Sequence, residues 1–179
     1  MTQGLRRTAQ SGFTLVELVT IIVLVGILAG VAMPRFFERG GFDGRAYSDQ
    51  VKALMRYGQK IAIAQGRNVF VRINATSVAL CYDATCNARV LPPGGGNSSS
   101  SATLAACNNL TNWACEGIPN GVTMTPAAVT FSFDATGAPF AAADGVNALV
   151  ATFSTLAISV TGGGTTYLIN VVAETGYVN

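Results

Sequence analysis

Twenty-one consecutive residues, Phe13 to Met33, contain a single ionisable side chain, Glu17. Wound as an α-helix at 1.5 Å per residue, such a run reaches about 31 Å, the depth of a hydrocarbon core. A chain that begins this way must offer that helix lipid or other helices to lie against. Arg6 and Arg7 precede the run and no acid falls among residues 1–12, so the amino end is expected to stay cytoplasmic and the rest to cross outward. A secretory signal has a shorter apolar core followed by a small-x-small cleavage site. Here the run continues into Pro34, Arg35, Phe36 and Phe37, which reads as an anchor that is kept.

Glu17 is the anomaly. A carboxylate in a membrane helix costs several kcal/mol on most scales, which makes it a functional candidate. Alternatively, near the cytoplasmic end, it reaches the headgroups or is protonated.

The residues around it narrow the choice. Ser11-Gly12-Phe13-Thr14-Leu15-Val16-Glu17, an unbroken apolar helix and then Pro34 closely resemble the amino terminus of type IV pilins and type II secretion pseudopilins. The resemblance covers residues 6–37. It implies that residues 1–12 are a leader, that a prepilin peptidase cuts after Gly12, and that Phe13 is then N-methylated. Glu17 takes the family's glutamate five places after the cut, and Gly26 and Pro34 take its glycine and proline. The implied partners are other pilin or pseudopilin subunits, the peptidase, an inner-membrane assembly platform, and lipid before assembly. The implied location is the inner membrane, with a periplasmic head, and then the filament.

The chemistry agrees with that expectation. Cleavage would leave an α-amine on Phe13, and Glu17 could pair with the amine of a neighbouring subunit, so that two charges costly in lipid become partners. Gly26 and Gly30 have the small-xxx-small spacing that lets helices approach, although ordinary packing explains two glycines as well. Pro34 is expected to kink or locally melt the helix.

Beyond the anchor, three glycines in Gly40-Gly41-Phe42-Asp43-Gly44 suggest a break, with the helix resuming near Arg45. Val51, Leu54, Met55, Gly58, Ile61 and Ala62 recur at helical spacing, and Gly66 stands as a C-cap. Strands are expected over 68–73 and 77–82 around Asn74-Ala75-Thr76, over 129–133, and over 156–161 and 165–172 around three glycines, with Tyr177-Val178 closing the sheet. The Gly/Ser stretch 94–101 reads as a flexible loop. The expected fold class is α+β: a long N-terminal helix, transmembrane then periplasmic, packed on a β-rich antiparallel head. The segments are a leader 1–12, an assembly helix 13–34, a hinge and amphipathic helix 35–66, and a head 67–179.

The second half also has its likenesses. Arg35-Phe36-Phe37, Gly41-Phe42-Asp43 and Leu54 through Lys60 resemble minor pilins of mannose-sensitive haemagglutinin type pili. Phe131 through Gly137 and Glu174 through Val178 are similar to H-type minor pseudopilins and FimT-like minor pilins, whose heads have two packed sheets. These likenesses imply a minor subunit of such a pilus, with a minor pseudopilin of type II secretion as the alternative. Residues 83–125 match neither.

Cys81, Cys86, Cys107 and Cys115 would all lie outside the membrane, where an even count reads as two disulfides. Local bridges close short loops worth about 2 to 2.6 kcal/mol each, and a Cys81–Cys115 bridge about 3.8. The local pairing is adopted because Cys81 and Cys86 flank a plausible hairpin turn. Their spacing, without histidine, argues against a metal site.

Charged residues are 11% of the chain, against about 25% in ordinary domains, and histidine is absent. The commonest general base is missing and no phosphate-binding loop is present, so neither catalytic residues nor a cofactor are expected. Asp83, Glu116, Asp134, Asp144 and Glu174 are scattered, which suits turns and surface. Basic residues crowd between Arg35 and Arg72, and beyond them only Arg89 is basic. Some FimT-like pilins bind DNA through a basic tail. The tail here, Glu174 to Asn179, has no arginine, so nucleic acid is not an expected partner and the basic stretch reads as a solvated face.

Overall fold

A computed structural model describes residues 13–37, 39–145 and 148–179, with the side chains of 31–40 outside the description. The chain divides into two units, Met1–Glu38 and Arg39–Asn179. In the first, helix α1 spans Leu15–Phe37. It stays helical through Pro34, so of the kink or local melting the sequence suggested the melting does not occur; a proline removes only one backbone hydrogen bond from the helical ladder.

In the second unit, helix α2 spans Arg39–Gln65, so the glycine-rich stretch is helical from its first residue rather than from Arg45. One of those glycines has a packing reason. A Cβ on Gly44 would meet the Gly162 backbone at 3.0 Å, so the missing side chain lets helix and strand touch. The helix ends as expected from Gly66: its φ is 61°, and Arg67 N–H reaches back to the Ala62 carbonyl at 3.1 Å, a C-cap that satisfies the last turn.

Among the described residues, eight strands form two antiparallel sheets. The first has the order β3-β2-β1-β5-β6, from Cys115–Gly117, Ser77–Cys81, Val69–Ile73, Val129–Phe133 and Pro139–Ala141. The second has the order β4-β7-β8, from Val122–Thr125, Leu156–Gly162 and Thr165–Val171. Hairpin β1–β2 turns at Asn74, whose Oδ1 accepts the Thr76 and Ser77 amides at 2.9 and 2.7 Å. The chain end runs along β8: Val178 bridges Val171, and Asn179 and Asn170 exchange backbone bonds.

The apolar stripe of α2 (Tyr47, Val51, Leu54, Met55, Ala62) lies buried among Val71, Leu80, Phe131, Phe133, Ile158 and Val171. One core therefore joins α2 to both sheets. A smaller cluster, Phe70, Ala79, Cys81, Cys107, Trp113 and Cys115, forms separately. Residues 93–106 are more regular than their composition suggests. They hold a 3-10 turn, Pro93–Gly95, and helix α3, Ser101–Ala106, capped by Ser100, whose side chain accepts from Thr103 N–H.

Candidate assembly site

Thr14 starts α1. Its hydroxyl accepts the Glu17 N–H at 3.2 Å and its carbonyl the Leu18 N–H at 3.1 Å, the arrangement of an N-cap. A carboxylate in the first turn also meets the positive end of the helix dipole. Glu17 is exposed, and so are its apolar neighbours: Leu15 is 79%, Ile22 62% and Leu28 68% exposed. A Cβ built on Gly26 or Gly30 would meet nothing within 4 Å. Among the described residues, then, α1 shows its apolar surface on every side, and a helix that is apolar all round is one that something else covers. No helix among the described residues is long and apolar enough to cross a membrane; the described side chains of α1 stop at Gly30, short of the ~20 residues a span needs. Gly12 and the rest of residues 1–12, expected from the sequence to be a leader, lie outside the described residues, as does the side chain of Pro34.

Disulfides join Cys81 to Cys86 and Cys107 to Cys115, with Cα separations of 5.1 and 6.1 Å. The Cys81–Cys86 loop is organised by Asp83. Its carboxylate accepts the Thr85, Asn87 and Ala88 amides and the Thr85 hydroxyl. These bonds, the Thr85 hydroxyl foremost, hold its pKa down to about 2. Asp144 is lowered in the same manner, chiefly by the Thr152 hydroxyl. Both sit in turns, as their type suggests.

Glu116 does not. It is only 7% exposed, where the sequence suggested a turn or surface acid. Its carboxylate accepts the Ser98 N–H, the Ser98 hydroxyl and the Thr103 hydroxyl. No local signal marks this burial, because the donors come from Ser98 in the preceding loop and Thr103 on α3, eighteen and thirteen residues earlier.

Arg56, Arg67 and Arg89 are exposed but engaged with their own chain. Arg56 Nε donates to the Val178 carbonyl at 2.9 Å, Arg67 lies 3.8 Å over the Tyr82 ring, and Arg89 lies 5.1 Å from the Trp113 ring centroid. Contacts of this kind order a cation against its own chain.

Comparison with known proteins places the α1 segment. A family model described as the prokaryotic N-terminal methylation motif matches residues 7–33. The type IV narrow pilus major component PilA5 of Thermus thermophilus is 38% identical over 58 residues, 32% of this chain and 50% of that one. A type IV major pilin protein PilE1 of Neisseria gonorrhoeae is 41% identical over 58 residues, 32% and 33% of the two chains. The type II secretion system core protein G of Pseudomonas aeruginosa is 33% identical over 66 residues, 37% and 41%. The chain thus spans between a third and a half of the length of these relatives. No solved structure matches it significantly. The N-terminal segment of the chain thus carries a methylation motif and is similar to the corresponding segments of type IV pilins and of a type II secretion pseudopilin.

Proposed function

We propose that the chain is a structural subunit, cut after Gly12, N-methylated at Phe13, held in the inner membrane by α1 and then built into a filament with other pilin-like subunits. The observation that carries this reading is the all-round apolar exposure of α1 with Glu17 at its start. Lipid covers such a surface before assembly and neighbouring helices cover it afterwards. Glu17 supplies the register by meeting the Phe13 amine of the next subunit, which leaves neither charge alone in a low-dielectric surrounding.

Within this reading, a minor subunit of a mannose-sensitive haemagglutinin type pilus is the assignment, supported by the likeness of stretches within residues 35–60 to such minor pilins, and the minor role by the likeness of residues 131–137 to FimT-like minor pilins and H-type minor pseudopilins. A type II secretion pseudopilin is the second reading, supported by the likeness to core protein G. The peptidase and the assembly platform enter as partners on the same ground.

The test is quantitative mass spectrometry of sheared filaments against the membrane fraction. The expected outcome is a peptide beginning with methylated Phe13 in the sheared material, at trace abundance beside a dominant pilin. Glu17→Ala is expected to be cut normally yet to fall at least about tenfold in the sheared fraction, the scale of losing one partner of a desolvated charge pair. Unchanged incorporation of Glu17→Ala would overturn the pairing role. Processed protein confined to membranes would favour the pseudopilin.

A further inference from the structure

A cavity of about 310 Å³ opens between α2, the 92–98 loop and β3, lined among others by Gln50, Ala53, Leu54, Pro92, Ala114 and Glu116. Its described lining contains one acid and no basic side chain. It has the make-up of a small-ligand site, with apolar walls and a few fixed polar groups. A larger opening of about 480 Å³ beside Ala105, Pro119 and Val122 has no ionisable side chain in its lining.

Glu116 is the informative residue. Oε1 accepts the Ser98 N–H at 2.9 Å, and Oε2 accepts the Ser98 and Thr103 hydroxyls. These three donors are neutral. They orient the carboxylate without cancelling its charge. A carboxylate has about four acceptor sites, so Oε1 keeps one. A buried anion stabilised only by neutral donors is costly, and a cation brought to it recovers part of that cost. As a tie between the loop and β3 alone, neutral side chains of the same shape would serve with less desolvation.

We propose that this pocket binds a primary ammonium on a short alkyl stem, the charge at Glu116 and the stem along Ala53, Leu54 and Pro92. A lysine side chain of another chain and a free alkylamine share that chemistry. The proposal stands independently of filament assembly.

The experiment titrates the full chain in detergent micelles with n-butylammonium chloride by calorimetry and NMR, with n-butanol as the neutral control. Saturable binding of the ammonium is expected, with n-butanol at least about tenfold weaker. Glu116→Gln should weaken it by a similar factor. Because that change also touches the Ser98 loop, Ala53→Trp is the second variant. Ala53 is exposed on α2, so the indole fills the mouth while the Glu116 contacts stay, and binding should be lost with the fold intact by circular dichroism. Absent saturation, equal binding of n-butanol, or binding untouched by Ala53→Trp would overturn the proposal. Sedimentation in the same titration separates the sources. A fall in mass on saturation identifies a lysine of a second copy, and an unchanged mass excludes that source.

Discussion

Asp83 lies at the protein surface, yet four donors converge on its carboxylate. Its folded pKa, about 2, is below the ordinary 3.8. A group depressed in this way stabilises the fold above the unfolded value and loses that contribution as the pH falls through the folded one. The Cys81–Cys86 loop should therefore loosen between about pH 4 and pH 2. An NMR titration of the Thr85 and Ala88 amides should place the midpoint near the lower end, and a midpoint near 4 would contradict the network. Gly117 is the other residue with a sharp expectation. A Cβ there would meet the Ala102 carbonyl oxygen at 2.3 Å and Thr103 N at 2.6 Å. Backbone cannot step aside as a side chain can, so Gly117→Ala should cost about 2 kcal/mol or more in urea unfolding. Neither expectation is legible from the residue alone. An Asp two residues before a Thr is a turn signal, but a Gly following a Glu says nothing about the helix laid over it.

At the scale of the element, α2 does more than fill the core. Gln59 Nε2 donates to the Gly137 and Thr175 carbonyls at 2.9 and 3.0 Å, and Arg56 holds Val178. One helix face thus ties down a β-turn and the chain end together. Gln59→Leu should cost about 1 to 2 kcal/mol, since two carbonyls lose their donor. The amides of Val172 and Asn179 should then exchange faster, by hydrogen–deuterium exchange, while those of β1 stay unchanged. The apolar stripe of α2 and hairpins β1–β2 and β7–β8 were legible because period and turn chemistry are local. Strands β3, β4 and β6 were not. They have three or four residues each, too few for a period, and they exist through partners distant in sequence. The glycines of α2 misled for a related reason. Propensity counts each as a weakness, and only the approach of Gly162 shows what Gly44 is for.

At the scale of the whole molecule, the two disulfides and the small cluster around Trp113 staple residues 81–115, the part that sequence likeness left unplaced. Each bridge closes a short loop, so Cys107→Ser with Cys115→Ser should lower stability by about 2 to 3 kcal/mol, read as a lower urea midpoint. The main core should survive, because Val71, Phe133 and Ile169 belong to the other cluster. A collapse of the whole sheet on losing that bridge would show the two clusters to be one. Charge is distributed unevenly at this scale. Strands β4, β7 and β8 have no ionisable acid or base among their Val, Thr, Ile and Leu residues apart from Tyr167, while the cations gather on and near α2.

By itself, the sequence determined the apolar segment with its one carboxylate and the likeness of that segment to type IV pilins and pseudopilins, because hydropathy over twenty residues and a short motif need no partner to be recognised. It also determined the stripe of α2 and the longer hairpins, whose signals repeat within a few residues. The tertiary structure alone decided that Glu116 is buried against Ser98 and Thr103, that Gly44 and Gly117 are points of contact, and that β3 and β6 close the edges of the larger sheet. Each of those depends on residues brought together across long stretches of chain, and burial at such places is a property of the neighbours rather than of the residue.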